Sequence, residues 1–203
     1  VARNNLGSSS VAGSDSKVAW SNSFTARDVT PPTLYLGWTN TFNEDADTAT
    51  GSVYVSTNEP LYYIDDAGAT QALTEDFLLR NLIVSPSPDT FPNLRSVYRL
   101  EDVSMAIPKD ANGRAAGDPG IQSFTLQYRN APIGTNVTFP YTLCDINGNQ
   151  LGVMLLNLYL DQELWPDGTF RRWYPKWSIT GILAEYVIIT NVENQPQQPP
   201  TQP

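Results

Sequence analysis

The residues best suited to recognition are crowded into one stretch, Leu164-Trp165-Pro166-Asp167-Gly168-Thr169-Phe170-Arg171-Arg172-Trp173-Tyr174-Pro175-Lys176-Trp177. It holds three of the five Trp and three of the twelve cations of the chain. Ring faces attract guanidinium groups and stack on sugars or bases, and Trp, Tyr and Arg are the side chains enriched in protein–protein hot spots. Strand alternation predicts Phe170, Arg172 and Tyr174 on one face and Arg171, Trp173 and Pro175 on the other. Each face carries an aromatic ring, so one ring set is expected to leave the core of its own chain. The candidate binding residues are therefore Trp165, Phe170, Arg171, Arg172, Trp173, Tyr174 and Trp177, at a subunit interface or, in the alternative, under a glycan.

Catalytic chemistry is narrowed by what the chain lacks. It has no His and one Cys. Ser-His-Asp and Cys-His catalysis, His-ligated zinc, an imidazole pH switch and an internal disulfide are thereby excluded. Cys144 lies in an apolar run and reads as a buried, inert thiol. Paired carboxylates are the remaining acid–base option, because glycoside hydrolysis can run on two of them. Asp65, Asp66, Asp110, Asp118, Asp145 and Asp167 each precede a Gly or Asn closely, and turn formation accounts for those places. Glu101, Asp102, Asp161 and Glu163 fall at expected strand ends, where a cleft could form.

Asp145-Ile146-Asn147-Gly148-Asn149 begins like a calcium loop but has Leu156 where the twelfth-position Glu would stand, so a hairpin turn is expected. Glu44-Asp45-Ala46-Asp47 reads as a solvated loop. No Gly-rich phosphate loop occurs in 113–120. No catalytic residue, metal or cofactor is expected.

The net charge is −9, from 12 basic and 21 acidic residues. An acidic surface repels phosphate backbones, so direct nucleic-acid binding is not expected. The longest apolar run, Leu151–Leu160, is strand-sized and interrupted by Asn157, well short of the roughly 18–20 residues of a membrane span. Val1 is read as following either initiator Met removal or leader cleavage, and only the second implies secretion. Asn136-Val137-Thr138 fits a glycosylation sequon, which matters only in a secretory pathway.

The elements that must position these residues are mostly strands. Charged residues make up 16% of the chain, against roughly 25% in ordinary soluble domains. Short apolar runs are cut by turn signals at the spacing of all-β domains. Val18–Thr25, Leu34–Thr39, Ser52–Ser56, Leu61–Ile64, Val97–Asp102, Val103–Ile107, Ile121–Tyr128, Val137–Cys144, Leu151–Leu160, Gln162–Trp165, Thr169–Tyr174 and Trp177–Thr190 read as strands. Asn112-Gly113 fits a type I′ turn, and Gly181 fits a bulge. Leu151–Leu160 is apolar on both parities and is expected to be central and covered on both faces. One helix is expected, capped by Thr74, with Glu75 and Asp76 in its first turn and Phe77, Leu78 and Leu82 as its apolar stripe.

The expected architecture is all-β: a sandwich, jelly roll or barrel-like domain over 17–190. A small, polar N-terminal arm (1–16) and a C-terminal arm (191–203) with four Pro and four Gln flank it. This points to a non-enzymatic structural subunit of a large assembly, joined to copies of itself and to other particle proteins through its arms. A virion or phage-particle component (outer capsid, decoration or cement protein, tail) suits the acidic balance. The alternative is a secreted carbohydrate-binding module, adhesin or pilus subunit at the cell surface, with Trp165, Trp173, Tyr174 and Trp177 as its platform. A carboxylate-based glycosidase or lyase ranks last.

Overall fold

The computed structural model describes residues 28–85 and 98–190. The strand expected at Val18–Thr25 and both arms lie outside them. The described residues form ten strands and one short α-helix, in the order β1 (Leu34–Asn43), β2 (Thr48–Ile64), β3 (Thr70–Ala72), α1 (Glu75–Asn81), β4 (Ile83–Ser85), β5 (Tyr98–Ala106), β6 (Gly120–Pro132), β7 (Asn136–Cys144), β8 (Gln150–Leu164), β9 (Phe170–Ile182) and β10 (Val187–Ile189). The chain is all-β, as its turn spacing predicts.

The strands make one curled sheet, a half-barrel, with the path β10-β1-β2-β7-β8-β9 and side branches β2-β6-β5, β2-β3 and β7-β4. β2 is the hinge of this layout. Its first part pairs with β1 and β6, and Tyr62 and Tyr63 near its end pair with Cys144 and Leu143 of β7 and with Ala72 and Gln71 of β3. The register shifts between Ser56 and Leu61, where the strand bends and changes partners. Two separate strands were expected here, Ser52–Ser56 and Leu61–Ile64. They are one bent strand, because the intervening Thr57–Pro60 bulges without ending the run. The same holds for Tyr98–Ala106, one strand with a shift after Glu101 and Asp102 at φ 48°.

Curling brings distant strands face to face. Tyr128 of β6 accepts a 3.0 Å hydrogen bond from Trp177 Nε1 of β9, with ring centroids 5.3 Å apart. Leu34, Leu36, Val53, Phe139, Leu156 and Leu158 are fully buried in the same core. The helix forms as expected: Thr74 Oγ1 accepts from Phe77 N at 3.2 Å, and Leu78 is fully buried. Phe77 stacks on Tyr63 at 4.2 Å.

β8 lies between β7 and β9 but is fully covered on only one face. Leu151 is buried, then Met154, Leu156 and Leu158 are, so the buried parity changes from odd to even. The change falls at a bulge between Gly152 and Leu155, opposite Gly181. Val153 is exposed, while Leu155 and Tyr159 are half-buried. Both parities are apolar because the bulge exchanges the faces mid-strand; of the two covers expected, one from the fold and one that a neighbouring subunit could give, the described residues supply the first. Gly152 (φ +128°) and Gly181 (φ +77°) meet back to back here: a Cβ on Gly152 would stand 2.0 Å from the Gly181 oxygen. Gly152→Ala should lower the unfolding free energy by about 2–4 kcal/mol, from backbone strain plus overpacking, read as an earlier denaturant midpoint.

Four tight turns share one geometry. In 65–69, 110–114, 145–149 and 165–169 the first N–H reaches the fifth carbonyl, and the Gly N–H returns to the first carbonyl. Each Gly lies at φ 75–86° and the preceding residue does not lie at positive φ. These are type I turns closed by a left-handed Gly, not the type I′ turn expected at Asn112-Gly113, because type I′ needs both central residues at positive φ.

Candidate functional site

The aromatic–basic stretch forms the β8–β9 hairpin tip, and its geometry is set by one extra residue. Glu163 pairs with Arg172 and Leu164 with Phe170, so Arg171 is the bulged residue. A bulge turns two successive side chains to the same side of the sheet. Arg171 and Arg172 therefore both lie on the face of Glu163. This corrects the strict alternation expected from the sequence, which divided them between faces. The physical reason is the bulge, which no periodicity records.

The outer face of the tip is a charged clasp. Glu163 is only 7% exposed; one carboxylate oxygen accepts from Arg171 and the other from Arg172 Nε at 2.5 Å. The Arg171 guanidinium lies 4.8 Å over the Trp165 ring, and that of Arg172 lies 4.7 Å over Tyr174. Lys176 Nζ reaches Asp161 at 3.3 Å. Each ring holds its Arg in place by cation–π attraction, and the shared carboxylate holds the pair.

The other face carries the apolar side chains. Leu158 and Trp177, then Leu160 and Pro175, pair on the core side of the two strands. Beyond them the hairpin runs past the core, and the same face continues into solvent as Trp173 (43% exposed), Leu164 (44%) and Phe170 (52%). Phe170 and Trp173 meet edge to face at 5.7 Å. Trp177, by contrast, is 1% exposed and belongs to the core.

The seven expected site residues thus divide into three groups: Trp177 inside, Trp165, Arg171, Arg172 and Tyr174 on the clasp, and Phe170 and Trp173 on the exposed apolar face. The four-ring sugar platform does not come together, since its rings lie on opposite faces or in the core. Leu164 belongs with Phe170 and Trp173, and sequence reasoning named it only as part of the stretch. Its direct pairing with Phe170 was the missing signal, and it depends on the bulge.

The remaining polar groups are occupied with structure. Asp65 Oδ1 accepts from the Ala67 and Ala69 amides, Asp110 Oδ1 from those of Asn112 and Arg114, and Asp145 Oδ1 from that of Asn149. These local bonds hold the Asp65 carboxyl below its ordinary range, the Ala69 amide contributing most. Glu101 pairs with Arg99. Glu44-Asp45-Ala46-Asp47 is the exposed β1–β2 turn. Asn136 sits in β7, its Oδ1 accepting from Asn157 Nδ2 at 2.9 Å.

One carboxylate trio stands apart: Asp28, Glu59 and Asp145 bring an oxygen each within 4.8 Å of one another. Both Asp145 oxygens already accept from Asn149, at 2.8 and 2.6 Å. Among the described residues no helix is long and apolar enough to cross a membrane. No protein-family model, curated protein or solved structure matches the chain.

Two measurements test this anatomy. Glu163→Ala, which strands two partly exposed guanidinium groups, should cost about 1–2 kcal/mol of stability, whereas Trp173→Ala should change it by less than about 1 kcal/mol. Chemical denaturation of both variants reads the difference; a larger cost for Trp173 would place that ring in the core. Burial, aided by Asp145, pushes the Cys144 thiol up to about 12. It should stay unreactive toward a disulfide reagent at pH 8 and react stoichiometrically once the chain is unfolded.

Proposed function

We propose that this chain is a non-catalytic subunit of a protein assembly, and that copies of it meet through the apolar face of the β8–β9 hairpin tip. The observation that carries the reading is the exposed row Leu164, Phe170 and Trp173 on a hairpin that runs past the core with its opposite face already clasped. A rigid hairpin displaying one aromatic face loses little freedom on docking, which favours affinity.

The occupant is a second copy, for an electrostatic reason. The chain carries −9, so two copies repel at a distance. Within 161–176 the three cations Arg171, Arg172 and Lys176 balance Asp161, Glu163 and Asp167. The hairpin is the neutral, apolar place at which like-charged copies can approach. Burying a Trp and a Phe that are half-exposed in the monomer is the kind of contact that dominates interfaces. A virus or phage particle component, on its outer shell or tail, fits an acidic chain of this kind best.

The exposed Trp173 ring is the one observation that favours a glycan instead. Against it, one face each of Trp165 and Tyr174 is covered by Arg171 and Arg172, and Phe170 meets Trp173 edge to face rather than in one plane.

Light scattering across a concentration series should show association by the full chain and at least about tenfold weaker association for Trp173→Ala, the scale of a hot-spot truncation. A monomer at every soluble concentration would overturn the assembly reading. Glycan-array binding by that monomer, lost in Trp173→Ala, would replace it with the carbohydrate reading.

A further inference from the structure

The segment leading into β1 is held to the body at its outer end by polar bonds. Asp28, Val29 and Thr30 are exposed, Val29 by 72%. Asn149 Nδ2 donates to the Asp28 carbonyl at 3.1 Å and to Asp145 Oδ2 at 2.6 Å, bridging the segment to the β7–β8 turn. Thr33 N donates to Asn58 Oδ1 at 2.7 Å, and Asn58 N donates to the Thr33 carbonyl at 3.2 Å, tying the segment to the bend of β2. Pro32 is the buried residue of 28–33. With so little apolar burial, local charge can decide whether the segment stays docked.

That charge is concentrated in the seam, where Asp28, Glu59 and Asp145 converge. Asp145 is fully buried and accepts from Asn149, and Asp28 accepts from Thr30 N and Thr30 Oγ1 at 3.0 and 2.6 Å. Hydrogen bonds to a carboxylate favour its charged form. Glu59 receives no side-chain hydrogen bond among the described residues, so it is the member that takes up a proton when the three are pressed together.

Other groups face the same cleft of about 1000 Å³, lined by Asp28 and Glu59. Lys109 and Asp110 come from the β5–β6 connection, and Asp110 is occupied by its own turn. The Cys144 thiol and Tyr62 hydroxyl nearby are both pushed up to about 12 by burial and do not titrate near neutrality.

We propose that Asp28, Glu59 and Asp145 form a pH-sensitive latch: protonated Glu59 lets residues 28–33 dock onto the β2 bend, and ionised Glu59 loosens them. Burial first, then the charges of Asp145 and Asp28, raises the Glu59 carboxyl from 4.5 to about 7 in the docked state. Release of residues 28–33 removes Asp28 and the cover they give, so the Glu59 carboxyl, which stays on β2 beside Asp145, falls part of the way back toward 4.5. Below about 4.5 both states hold the proton and docking is tightest. Between about 4.5 and 7 the released state gives up its proton first, so docking weakens as pH rises. Above about 7 both are ionised and the effect levels off. Release would free residues 28–33, independently of the hairpin interface.

Hydrogen–deuterium exchange of the full chain tests the latch at the Thr33 and Asn58 amides. After correction for intrinsic exchange, their protection should fall about tenfold between pH 5 and pH 8, a conservative share of the shift for a part-exposed group. Glu59→Gln should keep high protection at both pH values. PH-independent protection in the unaltered chain, or an unchanged pH profile in Glu59→Gln, would overturn the proposal. Should that variant fail to fold, carbon-13 titration of the Glu59 carboxyl in the unaltered chain decides: ionisation near neutrality supports the latch, and ionisation near 4.5 refutes it.

Discussion

β2 must satisfy backbone hydrogen bonds on both edges while changing partners midway, and the half-barrel depends on that constraint. Its first part lies between β1 and β6, and its last residues lie between β3 and β7. A straight seventeen-residue strand could not serve both sets, because the sheet would remain open and flat. The bulge between Ser56 and Leu61 bends it, and the bend folds β9 over β6 so that Trp177 can reach Tyr128. Thr57 Oγ1 supports the bend by donating to the Glu59 carbonyl at 2.5 Å. The bend also places Glu59 beside Asp145 and Asp28, so the acidic seam is a by-product of how the sheet is closed.

A second bend of the same kind shapes the hairpin tip. Without the extra residue at Arg171, the two guanidinium groups would point to opposite faces and Glu163 would hold one of them. With it, both lie on one carboxylate, and the apolar side chains are segregated onto the other face. The clasp keeps charge off the exposed apolar face and resists fraying of the tip. The apolar face and the charged clasp therefore come from one backbone irregularity.

What the sequence revealed, and what it concealed, follows the same division. Turn chemistry was plain: Asp-rich stretches ending in Gly at 65–68, 110–113, 145–148 and 167–168 all mark turns, and Thr74 caps the helix. The strands expected at Leu34–Thr39 and Ile121–Tyr128 form, and bury Leu34, Leu36, Phe124 and Leu126. Several misreadings lie at bulges, whereas Leu151–Leu160 and Gln162–Trp165 simply run on as β8, and the expected strand Trp177–Thr190 is broken after Ile182 by a 3-10 turn at Ala184–Tyr186. Leu151–Leu160 looked two-faced because Gly152 exchanges its parity; 98–106 and 48–64 looked broken; Arg171 and Arg172 looked opposed. A bulge depends on which strand lies alongside, a long-range fact absent from any local window. The acidic trio was invisible for the same reason: residues 28, 59 and 145 are remote in sequence and meet through the bend alone. At the hairpin, the composition was legible but the distribution of rings was not, so Trp177 and Trp173 looked equivalent although one is core and the other exposed.

The absence of His from the chain takes on a specific meaning beside the seam. A protein without imidazole has no side chain that ordinarily titrates between pH 5 and 8. A carboxyl pressed between two others at a strand bend reaches that range by a different route. Burial and like charge raise it, whereas a histidine would start there. The sign is also distinctive. Histidine gains positive charge on acidification, while this seam sheds negative charge, so in an acidic chain a falling pH removes repulsion at the seam and from the molecule as a whole. The same fall in pH that tightens residues 28–33 against the body also lowers the repulsion between copies. On the two proposals, acidification acts at two separate surfaces of one negatively charged chain, docking residues 28–33 and weakening the charge repulsion that an approaching copy would meet.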